Sequence, residues 1–193
     1  MLDDISGGRG RCQRQLCGSG AAYEMDKNDR KNQFEISVVG KEGSGYWIEY
    51  SMQSPQGMAY MKALTARKGD DVIVQHMIVQ VPGRPPMDMS SVMKMHPMQS
   101  AQSKADMRAN AEDLGTQTIT TPAGTFACQH WRSKKDGSEF WLSDKVSPWK
   151  VVKMSGKDQT MTLTRVITDA KTHITGTPVS MEEMMRQRAR KPE

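Results

Sequence analysis

The chain has 193 residues, a formal net charge of +5 and a hydrophobic fraction of 36%, with a mean hydropathy of −0.67. This length suits one domain with a thin core and polar ends. The lack of any run of about 18 apolar residues excludes a membrane-spanning helix. So mild a basic excess argues for neither nucleic acid nor a membrane surface.

Residues 1–19 are rich in Gly, Arg, Ser and Gln and poor in apolar side chains, so they are expected to be disordered or loosely attached. Met1–Asp4 has neither a basic n-region nor an apolar h-region, so no signal peptide is visible. The single Gly7–Arg11 run is too short to support an RNA-binding role. Three cysteines, Cys12, Cys17 and Cys128, make an odd count. Either Cys12 and Cys17 pair in an oxidising compartment, or all three remain thiols.

A single domain is expected over 20–176. Ala21–Met25 reads as a short strand and Asp26–Asn32 as a charged turn. In Gln33–Val39, Phe34, Ile36 and Val38 alternate with polar residues. In Tyr46–Met52, Tyr46, Ile48, Tyr50 and Met52 share one face. The glycine-rich loop between them lacks a Gly-Lys-Ser/Thr ending, so it is no phosphate loop. Met58–Ala66 and Val72–Val81 read as two further strands, the second apolar on both faces.

Pro82–Pro86 ends this run of strands. Met89, Val92, Met93 and His96 then recur at helical spacing and Pro97 stops them. A helical insertion over about 87–112 is expected, packed across the sheet or lying as a flap over its mouth.

From Thr116 to Ile167 the pattern is a meander. Phe126, Cys128 and His130 share a face after the Pro122–Gly124 turn, and Asp136-Gly137 is a hairpin signal. Phe140–Leu142, Trp149–Met154 and Gln159–Ile167 follow as strands, with turns at Ser147-Pro148 and Gly156–Asp158. The last is the clearest: Met161, Leu163 and Ile167 face one way, and Thr160, Thr162 and Thr164 the other. All four tryptophans, Trp47, Trp131, Trp141 and Trp149, are predicted in strands. Residues 177–193 read as an amphipathic helix with a basic tail, opened by a Ser180/Glu183 capping box and carrying Met181, Met184, Met185 and Arg188 on one face. Such a helix suits either packing on the sheet or peripheral contact with an anionic membrane.

Catalytic signals are missing. There is no Gly-x-Ser-x-Gly elbow, no dinucleotide fingerprint and no His-Glu-x-x-His or Cys-x-x-Cys spacing. Cys128 and His130 lie two apart on one strand, but a structural histidine suits that position better than a nucleophilic pair. The outlier is methionine, at 17 residues. Thioethers are flexible and polarisable, and suit adaptable apolar surfaces. The cluster of Met89, Met93 and His96 within 87–98 also has the softness that Cu(I) prefers.

The run Thr121–Cys128, followed by Phe140–Ser143, Val146–Pro148 and Val152–Met154, resembles bacterial envelope proteins of the DUF4412 and DUF3108 type, grouped with the lipoprotein-carrier (LolA/LolB-like) superfamily. The resemblance is close over roughly the last third and loose before it. It implies a mainly β (α+β) fold: a strongly curved antiparallel sheet, an incomplete barrel, with a crossing helical segment and a C-terminal helix. It also implies a periplasmic or envelope location and an apolar concave face. The expected function is therefore non-enzymatic, with no cofactor and no nucleic acid. The expected ligand is a lipid or lipoprotein acyl chain, held by Met61, Met77, Met89, Val92, Met93 and Trp131. Metal handling through Met89, Met93 and His96, or a ligand-free scaffold, are the alternatives.

Overall fold

A computed structural model describes residues 16–69, 71–95 and 110–180, together with Glu183 and Arg186. In chain order the elements are β1 (Gly20–Lys27), β2 (Arg30–Glu42), β3 (Gly45–Ser54), β4 (Gly57–Lys68), β5 (Asp71–Gln80), β6 (Met87–Asp88), α1 (Ser90–Met95), β7 (Ala111–Thr121), β8 (Gly124–Ser133), β9 (Glu139–Leu142), β10 (Val151–Ser155), β11 (Gln159–Ile167) and β12 (Val179–Ser180). They make one twelve-stranded sheet in the order β12-β6-β5-β4-β3-β2-β1-β11-β10-β9-β8-β7, not closed into a barrel. Every pairing is antiparallel except β12 with β6. The sheet expected to be antiparallel throughout thus carries one parallel pair, at its edge.

The first strand lies in the middle of the sheet. β1 pairs with β2 on one side and with β11 on the other. On the first side the chain zips outward by tight turns. Asn28 and Asp29 both have positive φ, 51° and 60°, which is the geometry of a type I′ hairpin turn. Two residues therefore suffice where a longer charged turn was expected. The flanking charged residues extend the strands instead, and Lys31 reaches back to Glu24 at 3.0 Å.

The core forms around this seam. Ala21 and Tyr23 of β1, Ile36 of β2 and Met161 and Leu163 of β11 are buried together with Phe126, Cys128, Trp141, Val146 and Val152. Strands four or five places apart in the sheet thus share one core, so the sheet curls. Tyr23 stacks on Phe34 with ring centroids 5.2 Å apart, and its hydroxyl donates to Val151 O at 2.9 Å. Burial pushes the Tyr23 phenol well above its ordinary pKa. Gly20 is required by closeness: a Cβ there would lie 2.1 Å from Ser37 Oγ and 2.7 Å from Ile36 O.

The opposite face of β3–β5 is crossed by an irregular strap, 168–178, which leads from β11 to β12. Glu49, only 3% exposed, anchors it. Its carboxylate accepts Thr172 Oγ1–H at 2.5 Å, His173 N–H at 2.9 Å and His173 Nδ1 at 2.8 Å. His173 also stacks on Tyr60, Ile174 is buried, and Thr175 N–H donates to Gln80 Oε1. Both faces of the sheet are thus partly covered.

Helix is scarce. The expected insertion over 87–112 begins as strand, because Met87 and Asp88 pair with Val79 and Ile78. Asp88 Oδ1 then accepts Ser90 N–H at 2.8 Å and opens the short α1. Its far end is strand too, in β7, and 96–109 lies outside the described residues. The C-terminal helix is likewise unsupported at 177–180, where Val179 N–H donates to Pro86 O and β12 adds to β6. Ser180 Oγ does accept Glu183 N–H at 3.2 Å. Trp149, expected in a strand, lies in the turn before β10 beside the cis Ser147-Pro148 bond.

Residues 1–15, including Cys12, are outside the described residues. Leu16–Ser19 is tied down: Gly18 N–H donates to Val38 O at 2.7 Å, and Gly18 O accepts Ala170 N–H. Cys17 is disulfide-bonded, and Cys128 is a free, buried thiol.

Candidate functional site

Alternation and register together lay an apolar row across half the sheet. Ala21 stands opposite Ile36, Ile36 opposite Tyr50, Tyr50 opposite Met61, Met61 opposite Val79, Val79 opposite Met87 and Met87 opposite Val179. At about 4.8 Å per strand the row spans roughly 29 Å. A second row beside it runs Val38, Ile48, Ala63, Met77, and a third runs Tyr23, Phe34, Met52, Ala59.

Exposure rises along the first and third of these rows, whereas Val38, Ala63 and Met77 of the second are all buried. Ala21, Tyr23, Ile36 and Val38 are buried, whereas Tyr50, Met61, Val79, Met87 and Val179 are half-buried. Met52 is 47% exposed. Trp149, 41% exposed, leans over Phe34, Tyr50 and Tyr23 at centroid distances of 5.9, 5.8 and 6.3 Å. Burial raises the Tyr50 phenol pKa, partly offset by a hydrogen bond from Trp149. Large apolar side chains left open in a continuous strip mark a surface suited to apolar material.

Of the residues singled out from the sequence, Met61 and Met77 lie in neighbouring rows on this face. Met89 is held at its edge, its N–H donating to Met77 O at 2.9 Å. Val92 follows half-buried in α1, which packs on β5. The Met93 side chain and His96 lie outside the described residues. Trp131 belongs elsewhere: it stands in β8, opposite Phe140 and Asp113, eight strand positions from β5. Phe34, Tyr50 and Trp149 were not singled out. The alternation of β2 and β3 does mark the first two, but nothing local brings Trp149 onto them.

The described histidines each meet a carboxylate. His76 Nε2 is 2.9 Å from Asp88, His130 Nε2 is 3.0 Å from Glu139 and His173 Nδ1 is 2.8 Å from Glu49. Burial would raise the Asp88 carboxyl, but hydrogen bonds from Ser90 and His76 outweigh it and hold the pKa below the usual range. Hydrogen bonds from Arg132 and His130 do the same to Glu139. His130 is thus engaged away from Cys128, whose S–H points to Phe126 O. Among the described residues no group of three or more His, Cys, Asp or Glu is placed to hold a metal.

No family model and no curated protein matches the sequence. Solved structures with a similar fold include MucB, at 9% identity and a TM-score of 0.49, covering 86% of this chain and 59% of the other. MucB has also been solved in complex with MucA(peri). A protein of Parabacteroides distasonis, provisionally described as a lipoprotein, is 18% identical with a TM-score of 0.38, over 79% of this chain and 96% of its own. A DUF1329 family protein of Desulfovibrio piger is 12% identical with a TM-score of 0.33, over 86% and 90%. The chain therefore spans less than two thirds of MucB.

Proposed function

We propose that this chain is a non-enzymatic envelope protein of the DUF4412 type, in the lipoprotein-carrier superfamily, that binds a lipid or lipoprotein acyl chain on the apolar face of β2–β6. The observation that carries this is the cross-strand row from Ile36 to Val179, open at Tyr50, Met61 and Met87. Methionines in such a row adapt to chains of different length and branching. Met89 and Val92 border the site, and Trp149 overhangs it. The disulfide at Cys17 supports a periplasmic or other oxidising location. The basic run after Arg186 would draw the protein to an anionic bilayer.

Quenching of tryptophan fluorescence by a bromine-labelled stearate tests this. Addition of the stearate to detergent-free protein is expected to quench emission from Trp149, and a Met61→Glu variant that keeps its fold should lose the effect. If no quenching occurs in the unmodified protein, an open apolar site is ruled out.

A further inference from the structure

Tyr46 begins the same face of β3 that carries Ile48, Tyr50 and Met52. Its hydroxyl is buried and has no hydrogen-bond partner. A phenol removed from water without a partner is costly, and in a native protein such an atom calls for an explanation. Lys41, opposite it in register, holds its ammonium 5.7 Å from the centroid of the Tyr46 ring. One rim of the apolar strip thus carries an unused hydrogen-bond donor and a cation. Six residues along β3, about 20 Å at roughly 3.3 Å per residue, the other rim carries exposed Met52, with Trp149 near it.

We infer that Tyr46 is the polar anchor of the apolar face: its hydroxyl donates to an oxygen at the end of a long-chain ligand. The ligand class is therefore an amphiphile with a carboxylate or ester carbonyl on a single acyl chain, lying along β3 with its head at Tyr46. A free carboxylate would also gain from Lys41, whereas an ester would not. This rests on the apolar face being the ligand site, and it adds which end of the ligand goes where.

The test compares palmitate, methyl palmitate and hexadecane as competitors for a fluorescent alkyl probe on the full chain and on Tyr46→Phe and Lys41→Met. Both oxygen-bearing ligands should compete about tenfold better than hexadecane, as expected for a hydrogen bond worth roughly 1.4 kcal/mol. Tyr46→Phe should erase that preference and leave hexadecane unchanged. Lys41→Met should weaken palmitate and spare the ester, which separates a free acid from an esterified chain. An effect of Lys41→Met on both would show that it acts through packing and would overturn the charge assignment. Equal competition by all three ligands, or a preference that survives Tyr46→Phe, would overturn the anchor and leave the apolar site standing. Failure of all three to compete would remove the site and the anchor together. Tyr46→Phe removes only an unpaired group, so the ligand-free variant should melt no lower than the parent. A clear drop in Tm would mean that the hydroxyl already has a partner and would also overturn the anchor.

Discussion

Leu163 in β11 and Met61 in β4 both occupy the apolar side of an alternating strand, yet Leu163 is 0% exposed and Met61 is half-buried. The difference lies in what faces them. Around Leu163 the sheet curls on itself, so that Phe126, Cys128 and Val152, from strands beyond β11, join Tyr23 and Ile36 in one core. Around Met61 the sheet is a wing whose covering on the other face is the strap at Glu49. One pattern therefore has two outcomes: cohesion where the sheet closes over it, and an open apolar surface where it does not.

Substitution can break the comparison most sharply at the seam. Leu163→Ala is expected to cost about 2–5 kcal/mol, because the void cannot collapse. Met61→Ala should cost only about 1 kcal/mol, with its main effect on ligand binding. Urea titration of the two variants gives the contrast directly, and similar losses would show the wing to be core. A smaller effect is expected at the strap. Glu49→Ala deprives Thr172 and His173 of their shared acceptor, and its loss is about 1–3 kcal/mol. Hydrogen exchange should then quicken at His173 and Ile174 while the amides of β1 and β11 stay protected. The mildest probe is peroxide. Met52 and Met58, 47% and 38% exposed, should form sulfoxides before buried Met77 and Met161. Cys128, buried and with its thiol pKa pushed up by burial, should resist alkylation until the chain unfolds.

Much of this contrast is visible in the residues alone. The faces of β2, β3, β8 and β11 follow from period-two alternation, and the Asp136-Gly137 hairpin from local backbone preference, because both are short-range. What short-range pattern cannot supply is adjacency. The β1–β11 pairing joins Gly20 to Ile167, and no local signal links them. It is this pairing that sends Trp131 to the far arm and brings Trp149 over Tyr50. Glu49 sits on the side of β3 that looked solvent-facing, and the strap that buries it has no periodicity to announce it. The helix over 87–112 was inferred from the spacing of Met89, Val92 and Met93. That spacing holds for one short helix, but Met87 and Asp88 before it find strand partners first.

The central position of β1 sets the order in which the molecule can be completed. As the chain emerges, β1 to β5 can add hairpin by hairpin, each strand meeting its predecessor at once. The other edge of β1 must wait for β11, near the end of the chain. Long-range pairings of this kind slow folding, and an unpaired edge invites the strands of neighbouring chains. A half-made copy therefore exposes, at its most apolar point, a ready template for aggregation. A truncation before β11 would make that state permanent.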